Sequence, residues 1–237
     1  MPVSVAVDGD VFAAHPYYVA LIVLAEGIGN GPSDDASSAV LDAAEQHLVA
    51  RGLTRPAEHP HIAAWRAAFS AFGAKPSKYP CSAEALAARV LKGGALPRVN
   101  VLTDLYNAVS VRALTPIGGE DLDHLQGALR LTVATGEERF DGHDGAPRPG
   151  EIVWRDDAGV TCRRWNWRQG QRTRLTDATT RAFFVFDRLP ELDTDQLDDA
   201  ASQLETLLNA RWPGCTTRRI RLDRDQPRNG SAGDPDD

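Results

Sequence analysis

The chain has 237 residues, 42% of them hydrophobic, with 26 Lys+Arg against 33 Asp+Glu and a formal net charge of -7. That composition is globular and excludes a protein that coats nucleic acid broadly, because phosphate contacts need clustered cations; a local basic patch stays open. The length is enough for one large or two small domains to bury a core without a disulfide or metal staple.

Only Cys81, Cys162 and Cys215 are present, far apart and without a C-x-x-C pair, so neither a disulfide framework nor a thiolate zinc site is expected, and a reducing cytoplasm fits best. The N-terminal apolar run over residues 17–25 follows Asp8 and Asp10 and is too short to span a bilayer, so no signal segment, membrane anchor or membrane partner is expected.

In chain order, residues 3–7 and 18–24 read as buried strands, the second closed by the glycines of EGIGNG. Ser33 or Asp34 caps a predicted helix running to about Arg51, on which Ala39, Val40, Ala43, Ala44 and Leu48 recur at helical spacing. The pattern repeats over 60–73, and again over 82–91 with Ser82 as the expected cap. After Gly93, Gly94 and Pro97 a helix is predicted over 101–114. Beyond TPIGGEDLDHL the character changes to β, with strands expected at 129–134, 151–154, 161–166 and 181–187. A last amphipathic helix is predicted at 200–210, and QPRNGSAGDPDD, residues 226–237, has the composition of a disordered tail.

The strong nucleotide and hydrolase fingerprints are absent: there is no P-loop, no G-x-G-x-x-G after a strand, no H-E-x-x-H and no G-x-S-x-G. His59 and His61 could point two imidazoles to one side of an extended segment, but third and fourth ligands are not near in sequence, so no metal site is expected.

The string CRRWNWRQGQRTRLT, residues 162–176, stands out against the acidic background. As a strand it sets Arg163, Trp165 and Trp167 on one face and Arg164, Asn166 and Arg168 on the other. Such a strand is either a floor for an anionic, stackable ligand such as an RNA end, or a half-buried strand with Trp in the core and Arg in solvent. A second constellation is Asn100, Asp104, Asn107 and Ser110, which share a helical face and either bond a neighbouring loop or form the polar wall of a pocket. Gly118 and Gly119 after it either let backbone N–H groups approach a ligand or make a tight turn.

VNVLTDLYNAVSVRALTPIGGEDLDHL, residues 99–125, resembles a segment of the bacterial phenylalanyl-tRNA synthetase β subunit, and the paired Thr176 and Thr179 before a hydrophobic strand strengthen the likeness. KPSKYPCSAEAL, LKGGALPRVN, PIGGEDLD and CRRWNWRQ resemble the stand-alone B3/B4-domain proteins, relatives of the tRNA-binding and editing domain of that subunit. The likeness spans about Val3 to Pro213. It implies an α+β fold with mixed sheets packed against helices: a single B3/B4-like domain over 1–225, with an N-terminal α/β portion over 1–75 and a core over 76–213.

In the synthetase that domain hydrolyses mischarged tRNA without metal or nucleophilic side chain. Asp104, Asn107, Pro116 and Asp121 match the family pattern, whereas the editing His falls on Gly118 and the editing Glu near Val185. The resemblance therefore implies two alternatives. One is a trans-acting aminoacyl-tRNA deacylase in which Arg164 or Arg168 contacts phosphate, Asn166 and Asn107 orient the ester or amino group, and Asp121 or Glu120 pairs the substrate ammonium. Ser82, Gly118 and Gly119 complete the expected pocket. The other is a non-catalytic module for tRNA or a free amino acid. No cofactor and no DNA partner are expected.

Overall fold

The computed structural model describes residues 3–142 and 144–229. Among the described residues two sheets and six α-helices make an α+β fold. The strands are β1 (Val5–Val7), β2 (Val19–Glu26), β3 (Ile117–Asp121), β4 (Leu129–Val133), β5 (Ile152–Asp156), β6 (Gly159–Arg163), β7 (Arg168–Gln169), β8 (Arg181–Arg188) and β9 (Thr216–Leu222). The helices are α1 (Gly9–Ala14), α2 (Asp35–Ala50), α3 (Pro60–Ala71), α4 (Ser82–Leu91), α5 (Val101–Ala113) and α6 (Thr194–Arg211). One sheet runs β1-β4-β5-β6-β7 with β1 and β4 parallel; the other runs β3-β8-β2-β9 and is antiparallel throughout.

β2 carries seven buried residues in a row, VALIVLA, because it is a central strand covered on both faces. Ala20, Ile22 and Leu24 share a core with Leu131 and Trp154 of the other sheet and with α2, α3 and α4, while Val19, Leu21 and Val23 pack with residues of α5 and α6. Helix starts follow capping chemistry. The Asp34 carboxylate accepts from Ser37 N at 2.8 Å, and Asn100 Oδ1 accepts from Thr103 N at 2.9 Å. α6 begins six residues before the predicted start, since Asp193 and Gln196 form a capping box and the acidic DTDQLDD is its exposed first turns.

Several expectations change. Gly118 and Gly119, expected to approach a ligand or make a tight turn, lie within the strand β3, IGGED; at Gly119 a Cβ would lie 2.9 Å from Phe184 Cδ1, so the glycine makes room for an aromatic ring. β9 and α1 were not predicted, because TTRRIRL alternates weakly and α1 is barely more than one turn. Gln226–Asn229, expected in the tail, runs beside β1: Val7 N donates to Pro227 O at 2.8 Å and Asn229 N to Val5 O at 3.1 Å. The rest of that predicted tail, 230–237, lies outside the described residues.

The largest change concerns the Arg-Trp segment. β6 ends at Arg163, and residues 164–167 form a four-residue turn into β7, with Arg164 at φ +47° and Trp165 at φ +63°. Two consecutive non-glycine residues in the left-handed region cost about 1–3 kcal/mol each, so surrounding contacts must hold them there. Trp165 supplies one: its indole is fully buried, edge-on to Tyr18, Trp65 and His15 at 4.9, 5.0 and 4.9 Å. Arg163 supplies the other. Its guanidinium is 1% exposed, donates to both carboxylate oxygens of Glu151 at 2.8 Å, and reaches the Asp144 and Gly145 carbonyls at 2.7 and 2.8 Å. The alternation of two faces over 163–168 is therefore replaced by a turn whose base is an anchored ion pair.

Glu151→Ala would leave the Arg163 charge buried and unpaired, which costs about 3–5 kcal/mol. Urea unfolding should show that loss as a lower midpoint at an unchanged m-value.

Candidate functional site

A cavity of about 240 Å³ lies between the two sheets, closed on one side by the 164–167 turn and on another by the start of α4. Of the nine residues expected from the sequence, Ser82, Asn107, Gly118, Glu120 and Asn166 line it. Asp121, Gly119, Arg164 and Arg168 do not, for separate physical reasons.

Asp121 is tied up in a turn: its carboxylate accepts from Thr179 Oγ1 at 2.6 Å and from Asp123 N at 2.9 Å, with His124 Nδ1 3.3 Å away. It shapes the exit of β3 instead of meeting a ligand. Gly119 faces the opposite side of β3 from Gly118, as strand alternation requires. Arg164 is buried with its guanidinium carbon over the rings of Tyr79 and Trp167, 3.8 and 4.3 Å from their centroids, and with Glu151 3.8 Å away. Arg168 is exposed, 4.8 Å from the Trp167 centroid and 3.5 Å from Asp144. Both cations thus sit outside the cavity, on the Trp167 indole that forms part of its wall.

The remainder of the basic run is largely neutralised. Arg172 holds both oxygens of Asp156 at 2.7 and 2.8 Å, and Arg181 bridges Glu26 and Asp123 at 3.0 and 2.9 Å. The α5 constellation divides similarly. Asp104 accepts from Ser37 Oγ and Val99 N, Ser110 donates to Thr115 O, and Asn100 caps α5, so only Asn107 reaches the cavity.

Ser82 is the first residue of α4 rather than its cap, which is Cys81; its hydroxyl is buried without a protein partner. A residue that sequence reasoning missed is Asp187, at the end of β8, fully buried and part of the cavity wall. Asp187 Oδ1 accepts from Tyr18 Oη at 2.5 Å and Oδ2 from Asn166 Nδ2 at 3.1 Å. A carboxylate only accepts, so the Asn166 amide must present its nitrogen to Asp187, and Oδ1 is left buried with no partner. A lone Asp ending an aromatic strand, VFD, was the one signal for it.

Glu120 Oε2 is likewise buried and unpartnered, as is Trp154 Nε1. Four residues of the lining thus carry a buried polar atom without a partner among the described residues: acceptors on Asn166 and Glu120, a donor on Trp154, and the two-way hydroxyl of Ser82. Burial pushes the Glu120 carboxyl up to about 7 and the Asp187 carboxyl up to about 6, the latter opposed by the Tyr18 and Asn166 hydrogen bonds.

Gly118 and Val185 are cross-strand partners, and both line the cavity. Gly118, on which the resemblance puts the editing His, and Val185, near which it puts the editing Glu, are thus neighbours in one wall, and neither is titratable. His59 and His61 make no metal pair. His61 is fully buried, donates from Nδ1 to Leu114 O at 3.1 Å, and accepts at Nε2 from Trp65 Nε1 and Leu189 N, both at 3.1 Å; burial pushes it down to about 4. Among the described residues no helix is long and apolar enough to cross a membrane.

Glu120 and Asp187 rise from 4.5 to about 7 and from 3.8 to about 6, so the folded chain holds more protons than the unfolded one between these limits, and stability falls as pH rises through them. His61, lowered from 6.5 to about 4, acts in the opposite sense. Glu120→Gln removes one carboxyl and should flatten the decline between pH 4.5 and about 7, read from urea midpoints across a pH series. An equally steep decline in the variant would contradict a protonated Glu120.

A crystal structure of an N-terminal fragment of the phenylalanyl-tRNA synthetase β-subunit from Pyrococcus horikoshii is 13% identical, with a TM-score of 0.48 over 93% of this chain and 54% of that one. The chain thus spans about half the length of that fragment. No curated protein matches it. The B3/4 domain matches residues 64–203, from within α3 to within α6 and including every residue of the cavity wall. That match covers more than half of the sequence, and the chain belongs to the B3/4 domain family.

Proposed function

We propose that the cavity takes the aminoacyl group of a charged tRNA, and that the protein hydrolyses the ester in trans. The observation that carries this reading is Asn166: it lines a small cavity, Asp187 fixes its amide nitrogen, and its Oδ1 is a buried acceptor without a partner among the described residues. Orphaned buried polar groups cost about 1–3 kcal/mol each, which a ligand with complementary groups recovers. An α-amino ester is such a ligand, for it brings an ammonium donor to Asn166 Oδ1 and Asp187 and a carbonyl acceptor to Trp154 Nε1 or Ser82 Oγ.

Size supports the same class. About 240 Å³ lies below the usual range of roughly 300–1,000 Å³ for ligand pockets, which suits an aminoacyl group and excludes a whole nucleotide. The nucleotide end then lies outside, against Tyr79, Trp167, Arg168 and Lys78, where aromatic faces and cations combine as they do in single-strand RNA sites, while Arg164 is buried beneath them. Family membership agrees with a role connected to tRNA synthetases. A second reading, binding without hydrolysis, is favoured by one observation: Gly118 stands where the resemblance puts the editing His, and apolar Val185 stands near where it puts the editing Glu.

Incubation with a panel of mischarged tRNAs separates the two. Hydrolysis predicts at least one tRNA losing its amino acid faster than in buffer, and Asn166→Ala slowing that reaction about ten- to a hundredfold, as loss of a hydrogen bond to a charged group implies. Salt-dependent retention of tRNA on a filter without any deacylation would leave binding alone.

A further inference from the structure

If the cavity hydrolyses an ester, some group must accept the proton of the attacking water, and neither Gly118 nor Val185 can. Glu120 lies two positions beyond Gly118 on β3, on the same face of the strand. It lines the cavity and is 4% exposed, and among the described residues its Oε2 makes no hydrogen bond of full geometry, although the Thr173 and Thr161 hydroxyls lie close enough to favour its ionised form. Asp187, the other carboxyl in the wall, already accepts one hydrogen bond on each oxygen, so only the second lone pair of each is left for a ligand. It suits the substrate ammonium, which would abolish the basicity of any carboxylate it paired with.

We infer that Glu120 is the general base of this site, a catalytic residue that replaces the absent His and Glu from a different position on the same wall. This rests on the aminoacyl-ester reading of the cavity. Glu120 takes a proton from water as the water oxygen bonds to the ester carbonyl carbon. The tetrahedral species then breaks its bond to the ribose oxygen, which receives the proton from the Glu120 carboxyl. The products are the free amino acid and tRNA with a free ribose hydroxyl. No oxidant, metal or covalent enzyme intermediate is required.

The surroundings of Glu120 fit this task. Burial is the main cause of its raised pKa. The hydroxyls of Thr173 and Thr161 pull it back, Asp156 adds to it, and Arg172, ion-paired to Asp156, opposes it. Cys162 of β6 and Tyr106 of α5 also face it, both held neutral by burial at ordinary pH. A carboxyl near 7 is ionised in a useful fraction at neutral pH and basic enough to abstract a proton there.

The test measures deacylation of the most responsive mischarged tRNA by wild type and Glu120→Gln from pH about 5.5 to about 8.5, with the buffer rate subtracted, alongside tRNA affinity on filters. Wild-type kcat/KM should rise tenfold per pH unit up to about 7 and then level off. Glu120→Gln should lose about a hundredfold or more and the rising limb with it, while tRNA affinity is retained. Retained affinity also reports a folded variant. Glu120→Asp, one methylene shorter, should keep the limb at a lower rate.

A Gln variant within threefold of wild type, or a wild-type profile flat across the range, overturns the inference and leaves the hydrolysis reading intact. Absence of wild-type turnover on every tRNA of the panel overturns both.

Discussion

The contact between the Asn166 amide and the Asp187 carboxylate joins the two sheets at the point where the cavity lies. It ties the β6–β7 turn of one sheet to a central strand of the other, and Tyr18 completes the junction from the loop before β2. Hydrogen-bond geometry then propagates outward. With one carboxylate oxygen on Tyr18 and the other on the Asn166 nitrogen, the Asn166 oxygen must remain open. The Ser82 amide, donating to the Asn166 carbonyl at 3.2 Å, places the start of α4 against the same turn. A strained turn, a helix start and the polar character of the wall thus share one determinant.

Holding that turn against its backbone cost falls to groups that would themselves be expensive if unpaired. Arg163 and Glu151 are both nearly removed from solvent, and their mutual geometry, with two further carbonyls on the guanidinium, satisfies most of the donors. Trp165 adds apolar burial beside Trp65 and Tyr18. The outcome is a basic-looking segment in which Arg163 and Arg172 are structural, while Arg164 and Arg168 are left on the Trp167 face, where a polyanion can reach Arg168. A net charge of -7 does not exclude local basic character, because charge acts locally and Arg163 and Arg172 are ion-paired within the fold while Arg168 is exposed.

Much of the fold was legible in the sequence. The helical spacing over 82–91 and 101–113, the cap at Asp34, and the apolar runs of β2 and β8 are local signals that tertiary packing did not override. Failures occurred where local preference is weak: the capped but polar first turns of α6, the alternating charged β9, and β3, whose glycines imitate a turn. Asn107, Glu120, Asn166, Ser82 and Gly118 were expected as site residues and meet at one cavity, while Asp121 was taken for a ligand because its role in closing a turn depends on Thr179, distant in sequence.

By itself, then, the sequence determined the class of fold, the positions of most elements and the residue types available for chemistry, because periodicity, caps and motif strings are properties of neighbouring residues. The tertiary structure alone decided which polar atoms remain free. An Asp or Arg in a strand has the same local signature whether it is paired or not, and pairing here is set by partners such as Glu151 for Arg163, Tyr18 for Asp187 and Thr179 for Asp121. Whether Glu120 is an inert strand residue or a buried base follows from the same cause: its surroundings come from β6, α5 and the segment carrying Thr173, and only the packing of two sheets brings them together.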